Sequence, residues 1–306
     1  MKNKLILITG ALGQDGKIIT NIFFKNKKYK VIGIDNKKNL KTKKINIFKI
    51  DLLNKNLINK FLFKHKPDYI IHFAAKNYSY NYEEKNNYKI DYLYNYNITK
   101  NLINSIIDSK IKTTFFFTGS SRMFEGYKNK IINEKTKFKT KNYYSKYKVD
   151  IYYYLKKIKK KKLKSCTMIL FNHDSKFRGS KFLLPRLIKY FMKKKISKII
   201  EIYNSNILGD FSHAEDICRG IYLLIVKKKN PNKIILSSFK LTSISKIIIY
   251  LNSYYNLNIK FPQLKKKTNY LIGDNSFARA CINFKPKKSS FIAINDLIKH
   301  SKKKNY

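Results

Sequence analysis

The stretch Lys4-Leu5-Ile6-Leu7-Ile8-Thr9-Gly10-Ala11-Leu12-Gly13-Gln14-Asp15-Gly16 runs from an apolar segment straight into three glycines spaced G-x-x-G-x-x-G. Lys4 to Thr9 has the length and composition of a buried strand, and Lys17 to Phe24 carries the period of an amphipathic helix. In a strand-to-helix turn Gly10 permits the tight bend, Gly13 lets the backbone approach a pyrophosphate, and Gly16 lets helix and strand pack closely. The opening of the helix at Gln14 and Asp15 offers unpaired N–H groups and a positive dipole to the phosphates. The spacing departs from G-x-G-x-x-G, and three glycines can be turn chemistry alone. Their place between a strand and a helix favours a dinucleotide site.

Outward from this turn, apolar runs alternate with amphipathic stretches. Strands are predicted at Tyr29–Ile34, Asn46–Ile50, Tyr69–Phe73, Thr113–Thr118 and Ser165–Phe171. Helices are predicted at Leu53–Phe63, Tyr88–Ser109 and Tyr143–Lys160. This alternation implies an α/β fold, a doubly wound parallel sheet of the Rossmann kind with right-handed crossovers. After Phe171 the pattern loosens into helices at Arg186–Met192, Ala214–Val226 and Ser243–Tyr254 with short strands between them. Residues 1–171 are therefore expected to form the dinucleotide-binding part. Residues 172–306 are expected to form mainly a smaller α+β substrate region, with some segments returning to the sheet. The basic tail from Lys299 is expected to fray.

Within this frame Asp35 ends the second strand, where a carboxylate accepts hydrogen bonds from the adenosine ribose and repels a 2′-phosphate. That favours NAD, although Lys37 and Lys38 leave NADP open, and Asp35 before Asn36 is also a turn signal. Asp51 and Leu52, after the third strand, are expected beside the adenine. Ala74 and Ala75, after the fourth, are small where a cofactor would pass.

The formal charge is +49, which by itself points toward nucleic acid. Yet of the 67 basic residues only five are Arg, and Lys, Asn, Ile, Tyr and Phe crowd the chain while Trp is absent. All five favoured residues have AT-rich codons, so an even compositional bias explains the charge better than a selected DNA face, which would keep arginine forks. The lysines form no single patch, and no specific nucleic-acid partner is expected. Runs such as Lys156 to Lys162 and Lys193 to Lys195 read as solvated helix ends. With 43% hydrophobic residues the chain is globular, and no stretch approaches a membrane span. The start reads as no signal peptide. Cys166, Cys218 and Cys281 are scattered and odd in number, which suggests a reducing, cytoplasmic setting with neither disulfides nor a metal site.

Tyr144 and Lys148 lie four apart on a predicted helix, so they share a face. A neighbouring ammonium favours tyrosinate, and such a Tyr can exchange a proton with a sugar hydroxyl. The spacing also arises by chance at Tyr96/Lys100 and Tyr153/Lys157. Chain order singles out Tyr144, because Gly119-Ser120-Ser121 follows the fifth strand one loop earlier. A hydroxyl there can bond the reacting oxygen or simply cap a helix.

Several segments together resemble the GDP-mannose 4,6-dehydratase branch of the NAD-dependent epimerase/dehydratase (extended short-chain dehydrogenase/reductase) family. They are Thr9–Gly16, Phe73–Ala75, Ser120–Phe124, Asn133–Thr136, Tyr144–Lys148, Leu170–Gly179, Ser212–Asp216 and Gly273-Asp274 with Pro286. TGALGQDG and LFNHDS are the most specific of them. The resemblance implies a tightly held nicotinamide cofactor and a GDP-linked sugar, oxidised at C4, dehydrated across C5–C6 and reduced at C6, in a homodimer or homotetramer. It implies Ser120, Tyr144 and Lys148 as the catalytic set, with Ser121, Asn172, Arg178 and Arg186 contacting the nucleotide sugar.

Three departures stand out. Arg122 replaces the Glu that acts as the base at C5 in the family, and an Arg cannot serve as one; Glu125 is a nearby substitute. Gly209 precedes Asp210-Phe211 where the family has an Arg for the diphosphate. Asp35 stands where NADP-dependent members are basic. The loss of the C5 base opens two alternatives to a dehydratase: a 4-epimerase or 4-keto reductase, and a non-catalytic relative that kept the fold. His173 reads as a satisfied imidazole before it reads as an acid or base.

Overall fold

In the computed structural model, residues 3–77, 88–159, 163–264 and 270–302 are described. The chain begins with β1 (Lys4–Thr9), α1 (Gln14–Phe24), β2 (Tyr29–Asp35), β3 (Leu40–Lys41), β4 (Asn46–Lys49), α2 (Lys55–His65), β5 (Tyr69–His72), α3 (Tyr88–Asp108) and β6 (Thr114–Ser120). A 3-10 turn at Ser121–Phe124 leads to β7 (Lys130–Ile132), α4 (Tyr143–Lys159), β8 (Lys164–Leu170) and β9 (His173–Asp174). The remainder comprises α5 (Leu183–Met192), α6 (Ile196–Asn204), β10 (Leu208–Asp210), β11 (Ser212–His213), α7 (Ala214–Val226) and β12 (Lys233–Leu236). It ends with β13 (Leu241–Ser243), α8 (Ile244–Tyr254), β14 (Leu271–Gly273), α9 (Ser276–Ile282) and α10 (Ser290–Lys302).

Eight strands form one sheet in the order β12-β8-β6-β5-β1-β2-β4-β3. Every pairing is parallel except β3 with β4. The central strands are nearly all apolar because both faces are covered, as in Ile6, Leu7 and Ile8 of β1 and Phe115, Phe116 and Phe117 of β6. On one face α1 and α7 bury Ile18, Phe23, Ile217 and Leu224. On the other α2, α3 and α4 bury Phe61, Leu102 and Ile151. Chain order reverses between β1 and β5, and a crevice opens outside the carboxyl ends of strands at such a switch point. There the buried His72 bridges Thr9 and Thr99 through its two ring nitrogens, at 2.7 and 3.0 Å. Burial, and secondarily the Lys148 charge, pushes its pKa down to about 3, so the bridge is neutral.

A further core, of Leu184, Phe191, Ile199, Ile247, Leu251 and Leu297, joins α5, α6, α8 and α10 beside the small β10-β13 pair. The C-terminal half returns to the sheet twice: β12 extends its edge and α7 packs on α1. The predicted elements agree with the observed ones to within a few residues, while α6, α9, α10 and the short strands β3, β7 and β14 have no predicted counterpart. Helix α1 starts at Gln14, three residues before the apolar period, because extended Gly13 caps it. The second helix of the C-terminal region, α6, follows Lys195 with no capping side chain, although Ile196, Ile199, Ile200 and Tyr203 carry a helical period. Lys299 to Lys302 do not fray; they form the last turn of α10, which Leu297 and Ile298 anchor. Lys156 to Lys159 close α4 as expected, and Lys160 to Lys162 lie outside the described residues. No helix among the described residues is long and apolar enough to cross a membrane. Cys166, Cys218 and Cys281 form no disulfide with one another.

Candidate active site

Two adjoining cavities, of about 180 and 200 Å³, line the crevice and share Phe73 and Ala75. Backbone sets the geometry of the first half. Gly10 sits at φ +70°, and a Cβ there would lie 2.8 Å from the Ala74 amide nitrogen. Only glycine serves at that position. Gly13 caps α1 without any side-chain bond, leaving the first N–H groups of the helix for an anion. Gly16 serves packing, since a Cβ would meet Ala11 and the Gly10 carbonyl at 2.7 Å. Asp35 is buried, accepting from Leu12 N–H at 3.0 Å and Lys37 N–H at 3.2 Å, and its residue lines the cavity with Leu52, Ala74 and Ala75. A cradle that a single Cβ would fill, an uncapped helix start and a fixed carboxylate together fit a dinucleotide.

Two expected residues do other work. Asp51 lies outside the cavity wall, its carboxylate accepting from Leu53 N–H at 2.9 Å in the turn before α2. The Gln14 side chain turns away, donating to the His173 carbonyl and accepting from Ser175. Tyr94, on α3, lines this half and escaped the sequence reading, hidden among 24 tyrosines.

Side chains set the geometry of the second half. Ser120 ends β6, and α4 brings Tyr144 and Lys148 to the same cavity. The Ser120 hydroxyl accepts from Arg122 N–H at 3.2 Å, so it caps the 3-10 turn while lining the cleft. The Lys148 ammonium donates to the Thr118 carbonyl at 2.6 Å and sits 4.9 Å from the centres of the Phe117 and Tyr147 rings and 5.6 Å from that of Tyr144. Burial lowers its pKa to about 7. Burial pushes the Tyr144 phenol up to about 12, and the groups that oppose this are Arg122, Arg178 and the Tyr147 hydroxyl. The Lys148 ammonium thus faces a carbonyl and ring faces, and the charges that draw Tyr144 down are Arg122 and Arg178.

Arg122 lines the cavity with its guanidinium carbon 5.6 Å from the Tyr144 ring centre. Its Nε is ion-paired to Glu125, whose other oxygen accepts from Asn142 at 2.6 Å. Glu125 lies outside the wall. The two carboxylates that do line the cavity are also paired: Asp15 with His173 at 3.1 Å, and Asp174 with Arg178 at 3.0 Å. His173 gives its other nitrogen to the Phe171 carbonyl at 2.6 Å, so with both nitrogens protonated the ring is satisfied and ties the glycine loop to the segment after β8. Asn172, Arg178 and Arg186 line the outer part, and the Arg186 Nε is buried without a hydrogen-bond partner. Ser121 opens the 3-10 turn and is not in the wall. Three of the chain's five arginines thus meet in one cleft. Asp210 is a buried anchor, bonded to Ser212, Ser238 and Phe239 N–H, while Phe211 reaches the wall.

Known proteins with related sequences and folds share this arrangement of elements. GDP-6-deoxy-D-talose 4-dehydrogenase of Aggregatibacter actinomycetemcomitans is 29% identical over 224 residues, covering 72% of this chain and 70% of that protein. GDP-mannose 4,6 dehydratase 1 of Arabidopsis thaliana is 25% identical over 314 residues, covering 93% and 86%. Among solved structures, UDP-glucuronic acid 4-epimerase from Bacillus cereus, in complex with NAD, superposes with a TM-score of 0.80 at 19% identity, covering 98% of this chain and 99% of that one. The model of the NAD dependent epimerase/dehydratase family matches residues 6–236, three quarters of the sequence and the whole of the crevice described above, and the chain belongs to that family.

Proposed function

We propose that the chain binds NAD in the Gly10–Asp35–Ala74 half of the cleft and a nucleotide-linked sugar, GDP-linked by preference, in the other half, and that it works at C4 of the sugar as a dehydrogenase, 4-keto reductase or 4-epimerase. The observation that carries this reading is the state of the acids. Among the described residues every carboxylate lining the catalytic cavity is paired to a cation, and Glu125 is held by Arg122 and Asn142. Ser120, Tyr144 and Lys148 remain, and C4 chemistry needs only those.

A bound nicotinamide supplies the hydride acceptor and donor. The protein's own residues do the rest. Tyr144 takes the proton from the C4 hydroxyl or returns it to the 4-keto oxygen, and Arg122 and Arg178 favour the phenolate that this requires. Ser120 can donate to the same oxygen. Lys148, which donates to the Thr118 carbonyl, would hold the nicotinamide ribose. Asp35 receives the adenosine ribose, and its charge disfavours a 2′-phosphate. Arg178 and Arg186 suit the diphosphate, because guanidinium forks bind phosphate in pairs of hydrogen bonds. In this reading residues 172–306 supply most of the sugar-nucleotide contacts and residues 1–171 most of the cofactor contacts.

A second reading, the 4,6-dehydratase, has in its favour the similarity over 93% of the chain to the Arabidopsis enzyme. It needs Glu125 to leave Arg122. The test is NAD reduction by GDP-6-deoxy-D-talose, beside GDP-mannose and UDP-linked hexoses. Net NAD reduction by the 6-deoxy sugar, or inversion at C4 of any sugar in the panel read by proton NMR without net reduction because an epimerase returns its hydride, supports C4 chemistry; absence of both across the panel overturns it.

A further inference from the structure

Tyr147 sits three residues after Tyr144 on α4, on the same face, and is 1% exposed, so it cannot touch a substrate. Its ring packs edge-on against Tyr144, with centres 5.3 Å apart and planes at 80°. Its face is one of the three aromatic surfaces around the Lys148 ammonium. The hydroxyl is the anomaly. It is buried in an apolar core with Phe115, Phe117 and Ile151 and makes no complete hydrogen bond. A buried hydroxyl left without a partner costs stability that a Phe would not. Its neighbour on the same face is Tyr144, and the two phenols are coupled. Burial above all, then the charge and hydrogen-bonding of Tyr144, pushes Tyr147 well up, while Tyr147 in turn pulls Tyr144 down.

We propose that Tyr147 is a positioning residue for the reaction: its hydroxyl is the donor that holds the Tyr144 oxygen, completing its hydrogen bond when that oxygen carries charge. This rests on the C4 reading above, in which Tyr144 exchanges the proton. A neutral phenol has one donor of its own and little need of another, whereas a phenolate is acceptor only and gains from every donor. The other charged groups around Tyr144 are Arg122 and Glu125 from the turn after β6 and Arg178 from the segment after β9, with Lys148 one turn on in α4 and the neutral His72 of β5 near Lys148. Arg122 and Arg178 act by charge, and Tyr147 acts by a directed bond from inside the core.

The experiment is Tyr147→Phe, which keeps the ring under Lys148 and removes only the hydroxyl. In the holoenzyme the rise of sugar oxidation with pH, which follows the phenolate, should move up by about half to one pH unit. A profile superimposable on that of the parent chain would overturn the proposal. Thermal denaturation supplies a readout independent of activity. If the hydroxyls are coupled, Tyr147→Phe changes the midpoint of the parent chain and of the Tyr144→Phe variant differently, by about 1–2 °C. Equal changes in both backgrounds would contradict the contact. Coupling without turnover of any nucleotide sugar would leave the contact standing and overturn the C4 reading instead.

Discussion

The two halves of the cleft are built by different means. In the glycine-loop half the shape comes from backbone: a left-handed turn at Gly10, an uncapped helix start at Gly13 and a carboxylate fixed by two main-chain N–H groups. In the Tyr144 half it comes from charges: an ammonium among rings and three arginines, of which two are seen tied to acids. Backbone shape tolerates little change and has one use. Side-chain charge can be re-paired, and re-pairing alters the chemistry without moving the fold.

Substitutions can break this contrast in order of effect. Tyr144→Phe should lower turnover about a thousandfold while leaving cofactor affinity and the melting temperature nearly unchanged, because the lost group is an acid–base oxygen. Steady-state kinetics beside cofactor titration checks this. Gly10→Ala should do the reverse. A methyl 2.8 Å from Ala74 N, at φ +70°, must displace the loop, so cofactor affinity should fall about tenfold to a hundredfold and the melting temperature should drop with it. Binding isotherms and calorimetry would show both.

The same contrast explains what the sequence discloses. A glycine that needs φ > 0 or a close approach is visible as a letter in a pattern, so Gly10, Gly13 and the fold around them were legible, as was the strand–helix alternation of a parallel doubly wound sheet. Ser120, Tyr144 and Lys148 were legible as identities through their order along the chain. Their electrical state was not, because pairing is a property of space. Nothing in the spacing says that Lys148 turns to Thr118, that Arg122 holds Glu125, or that Asp51 caps a turn outside the wall. Tyr147 and Tyr94 carried no signal in a chain with 24 tyrosines. The basic last turn of α10 forms because the apolar face of that helix packs on its neighbours, which outweighs a basic local pattern, and α6 lacks a capping residue to mark its start.

Two smaller effects sharpen the electrical half. Arg122→Ala removes a charge that favours the phenolate, so sugar oxidation near neutral pH should fall about tenfold and recover as pH rises, in a rate–pH profile. Lys148 gives the opposite sign for stability. In the folded chain it holds its proton only below about 7, against about 10.4 for a free lysine. Between those values the unfolded chain binds the extra proton, so stability rises with pH and the burial of the ammonium costs most below 7. Lys148→Met should therefore raise the melting temperature by several degrees near about pH 6, and the gain should vanish toward about pH 10.

The most direct measurement concerns C5. The holoenzyme is incubated in heavy water with GDP-mannose and separately with GDP-6-deoxy-D-talose, and the sugars are read by mass spectrometry and proton NMR. With Arg122 seated against Glu125, the expected result is oxidation at C4 with no deuterium at C5 and no loss of water. Deuterium at C5 accompanied by a 4-keto-6-deoxy product from GDP-mannose would contradict it and identify a working elimination base.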